Sequence, residues 1–105
     1  MRLRFAQIEP FFTPADVEST VVNGIPMWHF VVVPDELPKG EWAFLLSYLA
    51  KRVETLSGGE IDIVRLPTGS FGVWSVSRVV LEQYLYILNE FAMQKAQGWL
   101  GTDET

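Results

Sequence analysis

The side chain best suited to acid–base chemistry is His29, the only histidine in the chain. An imidazole titrates near neutral pH, so it can act as a base or form a pH-sensitive contact. Catalysis by a nucleophile would need more, but the chain has no cysteine, and no serine or threonine stands in a recognisable motif. A lone histidine between Trp28 and Phe30 is typical of a structural position. We therefore predict that His29 belongs to a contact surface and that the protein is not an enzyme.

Carboxylates occur in pairs, which could hold a metal ion or perform acid–base chemistry. Most of the pairs fall at the ends of predicted elements or on solvated faces. Acidic side chains stabilise helix N-termini, and on solvated faces they are ordinary surface residues. The glycine segments SGGE and PTGSFG match neither a phosphate-binding loop nor a dinucleotide fingerprint. We predict no metal, no cofactor and no small-molecule ligand. The acidic pairs are Asp16/Glu18, Asp35/Glu36, Glu60/Asp62 and Asp103/Glu104.

Composition narrows the class of partner. The net charge of −5 and the scattered lysines and arginines disfavour nucleic acid, whose phosphates require clustered basic residues. Apolar runs such as Ala43–Leu46 are far shorter than the roughly 18 residues of a membrane helix, and residues 1–10 do not resemble a signal peptide. The absence of cysteine fits a reducing compartment. These features predict a cytoplasmic protein that contacts neither membranes nor nucleic acid.

The N-terminal half contains one ambiguous segment. Residues 2–8 alternate and predict a short strand. In residues 17–33, Asn23-Gly24 between β-branched runs favours a hairpin with a two-residue turn, in which Val22 faces Ile25 and Glu18 faces His29. Thr13-Pro14-Ala15-Asp16 instead resembles a helix start, which would make residues 14–22 helical and Gly24 a helix cap.

The C-terminal half has clearer elements. Residues 37–59 predict a helix that ends at Gly58, with Leu56 on its apolar stripe, and a second helix follows over about 77–97. Between them, residues 60–66 and 70–76 predict a hairpin, with Leu66 opposite Phe71. Three tryptophans fall on predicted core stripes: Trp42, Trp74 and Trp99.

Together these elements predict a single two-layer α+β domain over residues 1–100, with a frayed tail at 101–105. The order β-β-β-α-β-β-α suits a five-stranded, largely antiparallel sheet with both helices on one face. The other face would then be apolar and would need a cover. Either a protein partner or second copy covers it, or the strand register differs from the one assumed, or the arm with Phe11 and Phe12 folds over it. The predicted interface residues are Ile25, Met27, His29, Val31, Val64, Leu66, Phe71 and Val73.

In element order the chain resembles small acidic secretion chaperones, although it lacks their N-terminal helix unless residues 14–22 form one. We predict a small acidic protein-binding module, such as an adaptor, assembly factor or chaperone-like protein, that forms a homodimer through its apolar sheet face. The alternative is an inhibitor or immunity-type protein that uses its acidic surface against a nucleic-acid enzyme or a toxin.

Overall fold

A computed structural model describes residues 10–104 of the chain, and the side chains of residues 10–96. Its sheet is antiparallel, with the strand order β1-β2-β4-β3. The predicted strand at 2–8 lies outside the described residues, so the described sheet has four strands instead of five, in the element order β-β-α-β-β-α. The elements are β1 (Glu18–Val22), β2 (Ile25–Val32), α1 (Trp42–Ser57), β3 (Asp62–Arg65), β4 (Phe71–Ser75) and α2 (Arg78–Glu104).

The first hairpin is confirmed, with the predicted register: Val22 lies opposite Ile25, and Glu18 lies opposite His29. Asn23 and Gly24 have φ angles of 53° and 80°, which the tight turn between twisted strands requires. The competing helix signal produces only one 3₁₀ turn, Pro14–Asp16, where the Thr13 N–H donates to the Asp16 carboxylate at 2.8 Å. Residues 18–22 form β1, so residues 14–22 do not supply an N-terminal helix.

The second hairpin forms with a register that differs from the prediction by one residue. The Leu66 N–H donates to the Ser70 carbonyl at 2.8 Å, and Gly69, at φ 90°, donates to the Leu66 carbonyl at 2.9 Å. This is a three-residue loop with glycine in the left-handed position. Phe71 therefore lies opposite Arg65 and not, as the sequence predicts, opposite Leu66.

A shift of one residue moves every side chain of a strand to the opposite face of the sheet. Phe71 and Val73 consequently face the helices and are buried, at 8% and 0% exposure, so they do not belong to the uncovered face. Trp74, predicted to lie in the core, faces the other way and is half-buried. The prediction was wrong for these three residues for the same geometric reason.

Helix α1 ends as predicted. Gly58 caps it in the left-handed conformation, at φ 79°, and its N–H donates to the Glu54 carbonyl at 2.9 Å. Trp42 is buried at the first turn, and its indole N–H donates to the Pro38 carbonyl at 2.6 Å. Leu56 was predicted on the core stripe but is exposed, because it lies on the side of α1 that lines a groove with α2.

The core lies between the helices and one face of the sheet. Residues that the sequence placed on the main stripe of α2, from Leu81 to Ala92, are buried, whereas the side chain of Trp99 lies outside the described part. Both helices pack on this same side of the sheet, as predicted. The backbone of α2 is helical as far as Glu104, which includes most of the segment predicted as a tail. In the described part of the chain, no helix combines the length and apolarity that a membrane span requires.

The segment before β1 joins this core. Phe12 is buried, and its ring centroid lies 5.5 Å from that of Phe30. Asn89 of α2 holds its backbone on both sides: the Phe12 N–H donates to Asn89 Oδ1 at 2.8 Å, and Asn89 Nδ2 donates to the Phe12 carbonyl. Phe11 packs partly against the same cluster. Phe11 and Phe12 therefore lie on the helix side and do not cover the opposite sheet face.

Candidate interface on the open sheet face

The sheet face opposite the helices is called the open face. In residues 10–104, the helices and the Phe11–Phe12 segment lie on the other side, and nothing packs over this one. Its strands contribute mostly apolar side chains, and Val31, Val64 and Ile25 are 45%, 47% and 53% exposed. The alternation of the strands assigns the open face to Glu18, Thr20, Val22, Ile25, Met27, His29, Val31, Asp62, Val64, Gly72 and Trp74.

One row of four residues crosses all four strands. Glu18 pairs with His29 across β1 and β2, His29 pairs with Trp74 across β2 and β4, and Trp74 pairs with Asp62 across β4 and β3. The centre of the row is therefore aromatic and both ends are acidic. A row of this kind comes from strand register alone, because none of the four residues is adjacent to another in the sequence.

His29 and Trp74 form a stacked pair at the centre of the row. Their ring centroids are 4.3 Å apart and their planes differ by 12°. His29 Nε2 lies 3.9 Å from Glu18 Oε1, and His29 Nδ1 is buried without a hydrogen-bond partner. The stack holds both rings in place and presents a rigid aromatic ridge on the open face.

Gly72 makes room for this ridge. A Cβ atom at position 72 would lie 2.9 Å from Trp74 Nε1, which is closer than van der Waals contact allows. The missing side chain therefore lets the indole lean along β4 over the glycine. Val31 and Val64 flank Gly72 on the neighbouring strands, so the apolar surface continues on either side of Trp74.

The charges of the open face are acidic. Glu18 and Asp62 are both exposed, at opposite sheet edges. Two arginines of the described residues lie on the helix side: the Arg65 guanidinium carbon is 5.7 Å from the Phe71 ring centroid, and that of Arg78 is 5.2 Å from the Trp28 ring centroid. Apart from His29, the described part of the open face carries no basic side chain.

Five of the eight predicted interface residues lie on the open face: Ile25, Met27, His29, Val31 and Val64. Leu66 is half-buried in the β3–β4 loop, and Phe71 and Val73 lie in the core. Sequence reasoning missed Trp74. The signal was present in Pro67-Thr68-Gly69, because a three-residue loop that ends in glycine pairs Leu66 with Ser70, and that register turns Trp74 outwards.

The described surroundings of His29 are the stacked Trp74 ring and the Glu18 carboxylate. In residues 10–104, no hydroxyl group forms a hydrogen bond to either nitrogen of its ring. No cluster of three or more potential metal-binding side chains occurs in this part of the chain either. The described part of the open face is an apolar and aromatic surface with acidic residues at its rim.

Comparison with known proteins yields no family model, no curated protein and no solved structure that matches this chain.

Proposed function

We propose that this chain is a small non-enzymatic protein-binding module that self-associates through its open face. The observation that carries this proposal is the uncovered apolar surface around the His29–Trp74 stack. Contiguous apolar patches with a polar rim are typical of protein interaction sites. Their burial stabilises a complex by roughly 25 cal/mol per Å² of apolar area.

The residue types of the open face suit the centre of an interface. Tryptophan and methionine are enriched in interface cores, whereas charged residues are depleted there and concentrate at the rim. Trp74 and Met27 lie towards the middle, and Glu18 and Asp62 lie at the two edges. Because the His29 stack fixes Trp74 in one orientation, little side-chain entropy is lost when this ridge is buried.

Sedimentation velocity over a range of concentrations tests the proposal. The wild-type protein should sediment as a species larger than 11.9 kDa as its concentration rises. Val31→Asp and Val64→Asp each place a charge in the open face, and each should lower the apparent association constant at least tenfold. Val21→Asp is the matched control, because Val21 lies in the same hairpin, is 67% exposed and points to the other side of the sheet.

Circular dichroism should show that each variant keeps the secondary structure of the wild type. A wild-type protein that stays monomeric at every concentration would overturn the proposal. So would folded Val31→Asp and Val64→Asp variants that associate as strongly as the wild type.

A second candidate function is an inhibitor or immunity-type protein, supported by the acidic residues at both ends of the row. An apolar surface with an acidic rim fits a target whose apolar patch is flanked by lysine or arginine. A lysine-flanked amphipathic peptide is a suitable probe in isothermal titration. Its binding should weaken with added salt, because exposed charges are screened, and should weaken further in a Glu18→Gln, Asp62→Asn double variant. Equal binding by that variant would reject this function.

A further inference from the structure

His29 is the titratable side chain at the centre of the open face. It is the only histidine of the chain, and histidine is the side chain whose ordinary titration falls between pH 5 and 8. Its side chain is 20% exposed, so most of the ring is already covered within one copy. A complex that covers the open face would bury the rest of this ring.

The two nitrogens of the His29 ring have different surroundings. Nδ1 is buried, and no group of residues 10–104 forms a hydrogen bond with it. Nε2 lies 3.9 Å from Glu18 Oε1. A neutral ring with its proton on Nε2 fits these surroundings, because the proton is then on the nitrogen nearer the carboxylate and Nδ1 carries only a lone pair. Protonation adds an N–H at Nδ1, where no described residue accepts it.

The charged groups that face His29 come from two strands. β1 contributes Glu18, whose side chain is 75% exposed, so water screens its attraction for a protonated ring. β4 contributes the uncharged Trp74, and Asp62 of β3 lies beyond the indole at the end of the row. Both helices pack on the opposite side of the sheet, so none of their described charged groups faces the ring.

Covering the open face changes the environment of a protonated ring. In the free copy, water can solvate the exposed edge of the imidazolium. In a complex that water is excluded, the N–H at Nδ1 still has no acceptor, and only Glu18 and the indole face attract the cation. A neutral imidazole instead behaves like the aromatic and apolar side chains that suit the centre of an interface.

We infer that His29 makes self-association through the open face depend on pH, such that the neutral ring permits association and the protonated ring opposes it. This inference rests on the proposed function and adds a means of regulating it. The apparent association constant should fall together with the fraction of copies whose ring is neutral. Because binding free energies are linked, association should in turn make His29 harder to protonate.

Sedimentation velocity at pH 7.5 and pH 5.5, at constant ionic strength, tests the inference. The apparent association constant of the wild type should be at least about fivefold lower at pH 5.5. His29→Phe is the matched control, because phenylalanine keeps an aromatic ring beside Trp74 and cannot be protonated. Its association constant should change by less than about twofold, since only groups other than residue 29 can then respond to pH.

Proton NMR of the His29 ring signals measures the linkage without any substitution. The wild type is titrated once at a low concentration and once at a high concentration at which sedimentation shows association. The midpoint of the His29 titration should lie at a lower pH in the concentrated sample. This comparison still decides the question if His29→Phe loses its secondary structure in circular dichroism.

The outcomes separate failure of this inference from failure of the proposed function. If the wild type associates equally well at both pH values, or more strongly at pH 5.5, the inference is wrong and the proposed function stands. The same holds if the wild type and His29→Phe lose association to the same extent, or if the His29 midpoint does not change with concentration while association occurs. If the wild type is monomeric at both pH values, the proposed function falls and the inference falls with it.

Discussion

At the scale of single residues, the position of Trp74 depends on the missing side chain of Gly72, two positions earlier on the same strand. Gly72 has no Cβ, and the indole occupies the space that a Cβ would fill. His29 then stacks on the indole from the adjacent strand. Two residues separated by 45 positions thus form one stacked group, and Gly72, on the same strand as Trp74, leaves space for it.

Gly72→Ala should displace this group while leaving the fold in place. The added methyl would lie 2.9 Å from Trp74 Nε1, so the ring must move and the stack with His29 must open. We expect the free energy of unfolding to change by no more than about 1 kcal/mol. Alanine is more favourable than glycine in a strand, and this gain offsets part of the cost of displacing the indole. Proton NMR should show the His29 ring signals shifting downfield as the indole ring current moves away. Unchanged His29 shifts would contradict this prediction, and Thr20→Ala on the same face is the control.

Tyr84 is the buried polar residue that ties the two helices together. Its side chain is fully buried, and its hydroxyl donates to the Leu46 carbonyl at 2.8 Å. Burial disfavours the phenolate and raises the pKa of Tyr84 well above its ordinary value near 10. The neutral phenol is therefore the form on which the folded state depends.

This shift predicts a loss of stability at alkaline pH. Below pH 10 the phenol is neutral in both states; above pH 10 it ionises only in the unfolded chain, so unfolding is favoured by up to about 1.4 kcal/mol per pH unit. Tyr84→Phe should cost about 1 kcal/mol at pH 7 through the lost hydrogen bond, but its stability should then fall less steeply above pH 10. Urea unfolding of both proteins from pH 7 to 11 measures the difference. If the free energies of unfolding of the two proteins changed in parallel with pH, ionisation of Tyr84 would not be the cause of the alkaline loss of stability.

At the scale of elements, loop length decides which face of the sheet a residue occupies. The two-residue turn at Asn23-Gly24 and the three-residue loop ending at Gly69 set the registers of the two hairpins. Patterning could not choose between loop lengths in the second hairpin, because β4 has large apolar side chains on both faces. Phe71 and Trp74 are both large aromatic residues, and only the loop determines that Phe71 faces the core.

The register predicts that two aspartate substitutions differ strongly in how much they lower the free energy of unfolding. Phe71→Asp places a carboxylate in the core, and should cost on the order of 3–5 kcal/mol or unfold the protein. Met27→Asp lies on the open face and should cost about 1 kcal/mol or less, while reducing self-association. Urea midpoints measured at low protein concentration compare the two directly. If Met27→Asp proved the more damaging, the assigned faces would be reversed.

At the scale of the whole molecule, apolar surface is exposed on both sides of a two-layer domain. The open face carries Val31 and Val64, and the helix layer carries Phe44 and Leu56. A domain of this size buries only about two thirds of the surface of its unfolded chain, so some apolar exposure is ordinary. The open face goes beyond single exposed side chains, because its apolar residues are contiguous and Glu18 and Asp62 lie at its rim, which is typical of an interaction surface.

Self-association should make thermal stability depend on protein concentration. A ligand that binds only the folded state stabilises it by mass action, and a second folded copy acts in the same way. The wild-type Tm should therefore rise with concentration in differential scanning calorimetry. The Tm of Val31→Asp should stay constant, and that of Val21→Asp should rise like the wild type. A wild-type Tm that does not change over a hundredfold range of concentration would argue against association in the folded state.

The sequence alone determined the elements whose signals are local. Asn23-Gly24 favoured the first hairpin over the helix alternative and gave its register, and Gly58 marked the end of α1. The buried stripe of α2 followed from helical periodicity, and placing both helices on one face followed from the order of the elements. These features depend on residues close together in the chain, so each one could be deduced from its own neighbourhood.

The tertiary structure alone decided which side chains meet. The row from Glu18 to Asp62 depends on three strand pairings at once, and a register change of one residue in any of them would break it. Phe12 and Asn89, which bond to each other, lie 77 positions apart, and no local sequence pattern connects them. Side-chain alternation says that two faces exist, but only the packing of the helices determines which of them is left uncovered.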